Sequence, residues 1–167
     1  MKKITEKNLW DAFAGESQAH MKYMIFAEKA EEENLRNIAR LFKANSYAEQ
    51  IHARNHLRAL GEIKSTTENV AAAVNGEDFE VDEMYPAYIK IAQEQGEKQA
   101  EVSTTWALAA EKVHAELYRQ AKAALNQGRD LEIGTIYVCP VCGFTMEGEA
   151  PEKCPICNTP REKFREF

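Results

Sequence analysis

The sequence predicts an all-α four-helix bundle followed by a small metal-dependent C-terminal module with short β strands. Three observations carry this. Apolar residues recur at three- and four-residue spacing through residues 1–130. Two Glu-x-x-His pairs, Glu49/His52 and Glu111/His114, lie inside those stripes. Two Cys-x-x-Cys pairs, Cys139/Cys142 and Cys154/Cys157, fall in the last thirty residues or so, a tail too short to bury a core without a metal. The expected boundary divides 1–130 from 131–167.

The first helix is expected from Thr5, a plausible N-cap, to about Glu33, with Asn34 as its stop. The second runs from Arg36 to Leu60 and ends at Gly61. Ser65-Thr66-Thr67-Glu68 reads as a helix start, and Thr67 to Ala73 as a short helix broken at Asn75-Gly76. The third long helix then spans Phe79 to Gln95. Pro86 either sits in its first turn or kinks it. The fourth runs from Lys98 to Gln127, and residues 129–136 form a linker. Ala48-Glu49-Gln50-Ile51-His52-Ala53 matches Ala110-Glu111-Lys112-Val113-His114-Ala115, a weak internal repeat of a helix pair.

Residues three apart on a helix share a face, so Glu-x-x-His aims a carboxylate and an imidazole at one point. One such pair usually marks a solvated face. Two with matching flanks, inside apolar stripes, suggest a two-metal site, because inward glutamates without a cation would be strongly destabilising. The other helices should each add Glu, and Glu16, Glu80 and Glu83 are the candidates. His20 and His56 read better as supporting or surface histidines. Tyr23 and Tyr88 fall at turn multiples from Glu16 and Glu83, and either core packing or a hydrogen bond to a carboxylate would explain them.

Four thiolates make a tetrahedral site that accepts zinc or iron alike, and a structural zinc knuckle is the plain alternative. Gly143 suits the tight turn after the first pair. Asn158 stands at the equivalent place in the second and also tolerates positive φ. The net charge of −6, with both signs spread along the helices, argues against a nucleic-acid surface. No apolar run is long enough to span a membrane. The N-terminus does not read as a signal peptide, and no cysteine is left for a disulfide, so a cytoplasmic location is expected. No Gly-x-Gly-x-x-Gly nicotinamide motif follows a strand.

Together, Phe13-Ala14-Gly15-Glu16-Ser17-Gln18-Ala19, the two Glu-x-x-His segments, Glu80-Val81-Asp82-Glu83-Met84-Tyr85-Pro86 and the two Cys-Pro-x-Cys loops resemble the rubrerythrins over almost the full length. The resemblance implies a ferritin-like di-iron bundle with a C-terminal rubredoxin-like domain. It implies iron ligands at Glu16, Glu49, His52, Glu80, Glu83, Glu111 and His114, with Glu49 and Glu111 bridging, and one iron in the tail held by Cys139, Cys142, Cys154 and Cys157. In the family one iron trades a Glu for a His between oxidation states. By position that pair is Glu83 and His52, and Tyr23 joins them as a candidate catalytic residue. His20 stands where many members have Arg.

The activity so implied is reductive peroxidation of hydrogen peroxide. Electrons would come from an external NAD(P)H-linked reductase or a small redox protein and enter through the tail. A ferroxidase or iron-storage protein of the ferritin type shares the bundle but needs no attached electron donor. A zinc-tailed scaffold leaves the glutamate-rich core unexplained. A homodimer or larger assembly is expected, with the joint from Gly61 to Phe79 either folding back or carrying the later helices into a neighbour's bundle.

Overall fold

The computed structural model describes all residues 1–167. It has the predicted fold class, four helical rods and a small three-stranded sheet, in two compact units, Met1–Lys64 and Ser65–Phe167.

The first unit is a helical hairpin of α1 (Lys3–Glu32) and α2 (Arg36–Leu60). Its buried contacts are small: Ala27, Ala30, Ala39, Ala53 and Ser46. Small side chains let the two helices approach closely, and Ser46 locks the crossing. Its Oγ donates to the His20 carbonyl at 2.9 Å and also lies 2.9 Å from His20 Nδ1. This explains His20 as a packing residue of the hairpin. The larger apolar side chains Met21, Ile25, Phe26, Ile38 and Leu41 remain exposed along the hairpin.

α1 begins two residues before Thr5 and has no side-chain cap, so the expected N-cap is corrected. Its exposed first turn, with Glu6 favourably placed against the helix dipole, extends to Lys3 unaided. Asn34, at φ 60°, ends α1 as expected. There the Leu35 amide reaches back to the Ala30 carbonyl at 2.8 Å, and Gly61 closes α2 in the same way.

The second unit opens with α3 (Thr66–Phe79). Its start carries a capping box in which Ser65 and Glu68 satisfy one another's amides. The expected break at Asn75-Gly76 does not occur. Gly in a helix costs only about 1 kcal/mol, and α3 is held against α5 (Lys98–Asn126), with Arg119 of α5 paired to Asp78. The rod continues through a π-helical segment, Glu80–Met84, into α4 (Tyr85–Gln95). Pro86 sits in the first turn of α4, just after the π-helical segment, and supplies no amide to the turn before it. No helix is long and apolar enough to cross a membrane.

The tail forms an antiparallel sheet in the order β2-β1-β3, from β1 (Ile136–Val138), β2 (Thr145–Glu147) and β3 (Arg165–Glu166). Trp106 of α5 packs against its cysteine cluster with Phe144, Ile156 and Phe164.

Candidate metal centres

The tail site is built from two tight loops. The Gly143 amide donates to the Cys139 carbonyl at 3.0 Å, and the Asn158 amide to the Cys154 carbonyl at 2.9 Å. Gly143 and Asn158 both have positive φ, 78° and 61°, as the turn after each Cys pair requires. The pairs Cys139–Cys157 and Cys142–Cys154 each bring sulfurs to 3.5 Å. Metal–sulfur bonds of ~2.3 Å in a tetrahedron separate the sulfurs by ~3.8 Å, so the cradle already fits an ion. Burial pushes the thiols of Cys142 and Cys154 up. Burial also acts on Cys157, but the Thr159 hydroxyl and amide and the neighbouring cysteines outweigh it and bring that thiol down to about 6.

The carboxylates and histidines form two triads with the same internal plan, one in each unit. In the first, His52 Nδ1 lies 2.9 Å from Glu49 Oε2 and 3.7 Å from Glu16 Oε1. In the second, His114 Nδ1 lies 2.6 Å from Glu111 Oε2 and 3.9 Å from Glu77 Oε2. Each triad gathers three potential ligand atoms within 4.8 Å.

The second triad is the more enclosed. Burial first, and the facing Glu111 carboxylate second, push the Glu77 carboxyl up to about 8. Burial and Glu111 also raise Glu80, which His114 partly offsets. Glu77 Oε2 is buried without a hydrogen-bond partner. An orphaned oxygen among like charges is what a cation would satisfy, and the hard oxygen and imidazole donors suit iron.

The sequence had pointed to Glu80 and Glu83 on this rod. Glu80 is half-buried beside the triad, whereas Glu83 is exposed and outside it, and the place expected for it is taken by Glu77. The signal for Glu77 was in the repeat. Glu16 precedes Glu49 by 33 residues and Glu77 precedes Glu111 by 34, each after a glycine, Gly15 and Gly76. Reading Asn75-Gly76 as a break hid it.

Of the tyrosines, Tyr23 packs on Phe26 and Phe42, and Tyr88 is exposed and packs edge-on against Tyr85. It is Tyr85, unmarked in the sequence, that lies among the carboxylates. Burial, then Glu80, Glu111 and Glu77, raise its hydroxyl above the usual tyrosine range. A cleft of about 330 Å³ reaches this triad, lined by Glu77, His114, Leu117, Tyr118, Leu131 and Thr145 among others.

The raised Glu77 carboxyl has a thermodynamic consequence. A group whose folded pKa lies above its unfolded value stabilises the fold fully below the unfolded pKa and loses that contribution as pH rises through the folded one. Metal-free protein should therefore lose stability between about pH 4.5 and about pH 8. Glu77→Gln should flatten that slope in a denaturant titration at several pH values. An unchanged slope in the variant would show that Glu77 is not the group responsible.

Fold and donor sets define a class: a helical metalloprotein that pairs carboxylate–histidine sites with a tetracysteine site. A family model described as rubrerythrin matches residues 7–122, and one described as the rubrerythrin rubredoxin-like domain matches residues 137–165. The chain belongs to the rubrerythrin family. It is 43% identical to rubrerythrin-2 of Clostridium acetobutylicum, over 98% of this chain and 97% of that protein. It is 38% identical to nigerythrin of Nitratidesulfovibrio vulgaris, over 98% and 86%. Solved structures of nigerythrin, including one titled as its fully reduced, all-ferrous state, superpose with a TM-score of 0.56 at 37% identity, covering 98% of this chain and 86% of theirs.

Proposed function

We propose that this di-iron oxidoreductase is a reductive peroxidase. It would consume two electrons and two protons to convert each hydrogen peroxide into two water molecules. One observation carries the reading. The tetracysteine module is packed on α5, the helix that bears Glu111 and His114, with Trp106 against its sulfurs and Thr145 2.8 Å from His114. A ferritin-type storage protein has no need of a one-electron centre built onto its oxidant site. When bound, the di-iron pair supplies Lewis acidity and electrons for O–O cleavage, and the tetracysteine iron supplies single electrons for its re-reduction.

The rest is the work of the chain's own residues. Glu16, Glu49 and His52, with Glu77, Glu80, Glu111 and His114, are the ligand set we assign, and Glu49 and Glu111 are the bridging candidates. His52 is half exposed and meets the triad through its Nδ1, while Glu80 sits beside Glu111 and His114. These two, rather than His52 and Glu83, are the pair we assign to alternate at one iron. Tyr85 keeps its proton beside the carboxylates. The cleft beside His114 admits a molecule as small as peroxide.

Residues 131–167 are read as a module folded by its metal, the entry point for electrons from an NAD(P)H-linked reductase or small redox protein. The exposed apolar strip of α1 and α2 is read as a surface covered by a second copy, in a dimer or larger assembly.

The test is a single-turnover reaction of the fully reduced, iron-loaded protein. Peroxide should oxidise it faster than oxygen by an order of magnitude or more. Faster reaction with oxygen, together with a retained iron mineral when excess ferrous iron is supplied, would favour the storage reading. In the same assay Glu80→Gln should slow oxidation roughly 10–100-fold, while Glu83→Gln should stay near wild type. The reverse order would return the role to Glu83.

A further inference from the structure

The geometry points to Thr145 as a positioning residue for His114: its hydroxyl fixes which ring nitrogen faces Glu77 and Glu111. The inference rests on the metal-binding reading of that triad and adds to it a residue from outside the bundle.

Thr145 opens β2 and is only 8% exposed. Its hydroxyl has a single proton, which it donates to the Gly143 carbonyl at 3.0 Å. The same oxygen lies 2.8 Å from His114 Nε2, and with its proton directed to the Gly143 carbonyl it accepts there, which is the arrangement we assign. Nε2 therefore carries the ring proton. A neutral imidazole has only one, so Nδ1 presents a lone pair. That lone pair faces the Glu111 carboxyl group at 2.6 Å, a separation that a bound cation beside both atoms or a carboxyl proton between them would satisfy.

Without the hydroxyl, the metal-free ring would place its proton on Nδ1 and donate to Glu111. An incoming ion would then have to displace that proton. The first triad lacks this device. His52 makes the equivalent contact to Glu49 at 2.9 Å, but its ring is 53% exposed and nothing fixes its other nitrogen. One histidine is thus held in its ligating form and the other is not, and the hold comes from the tetracysteine module. The links run without a gap from Cys142 through the Gly143 carbonyl and the Thr145 hydroxyl to His114.

The experiment uses the full-length protein with iron in its tail and the chain's four histidines labelled with ¹⁵N. Zinc is the probe for the carboxylate–histidine site. In wild type, one histidine should show a slowly exchanging Nε2 proton with and without zinc. Thr145→Val should move the metal-free ring to the Nδ1-protonated form and weaken zinc binding about 10–100-fold, with the tail's visible absorption unchanged. Thr145→Ser should restore both. A Thr145→Val protein with wild-type tautomer and affinity would overturn the assignment. So would a Thr145→Ser protein as impaired as Thr145→Val, since the methyl rather than the hydroxyl would then matter. Wild-type protein that takes up no zinc here would instead overturn the metal reading, and the tautomer in metal-free protein would still decide the role of Thr145.

Discussion

Glu111→Ala will strip the di-iron site while leaving the tetracysteine iron in place. Glu111 is the point at which the second triad converges. Its carboxylate touches His114, helps to raise Glu77, and contributes to the shifts of Glu80 and Tyr85. Removing it takes away a proposed bridge between two ions. It also leaves His114 Nδ1 without the anion it faces. Metal analysis should find the tail iron alone, and peroxide reduction should fall to the level of free iron. Above about pH 8, where Glu77 of the metal-free protein is ionised, the metal-free variant should lose less stability than metal-free wild type, because the like-charge contact of Glu77 with Glu111 has gone. Loss of the tail's visible absorption as well would show that the two sites do not load independently.

Cys142→Ser should separate one reaction cycle from the next. Cys142 is buried and shares the cradle with Cys154 at 3.5 Å. A serine oxygen is too hard a donor to replace a thiolate at this site. The pre-reduced variant should still react once with peroxide at its carboxylate–histidine site. Steady-state turnover with a reductase should disappear, since no one-electron relay remains. Stopped-flow oxidation beside a coupled NAD(P)H assay reads both outcomes. Normal steady-state turnover would remove the tail from the electron path.

Long-period features were legible in the sequence. The rods α1, α2 and α5 follow from apolar spacing and from Asn34, Gly61 and Gly128 at their ends. The four cysteines and the two Glu-x-x-His pairs announce their donor sets, because those spacings leave little else to do. The third rod was harder to read. Glu77, Glu80 and Glu83 are equally spaced, so an α-helical period alone cannot say which of them faces inward. Asn75-Gly76 has the composition of a turn, yet packing against α5 carries the helix through it. Thr145 was invisible for another reason. Its partner His114 is 31 residues away on another element, and no local pattern reports such a contact.

The π-helical segment Glu80–Met84 has a consequence for how the third rod can vary. An α-helix turns ~100° per residue, and a π turn takes in one residue more than an α turn. The segment acts as a phase shifter between two faces that have different work. Upstream, α3 turns Val74 and the acidic side chain of Glu77 inward; downstream, α4 turns Ala92 inward, and both halves pack on the same helix, α5. Removing any one residue between 80 and 84 would leave a smoother helix and a misaligned one, with one half rotated by ~100° away from α5. Indels in this rod are therefore constrained by angle rather than by length. A homologue that shortens here would have to lengthen by one residue nearby, or give up either its ligands or its packing.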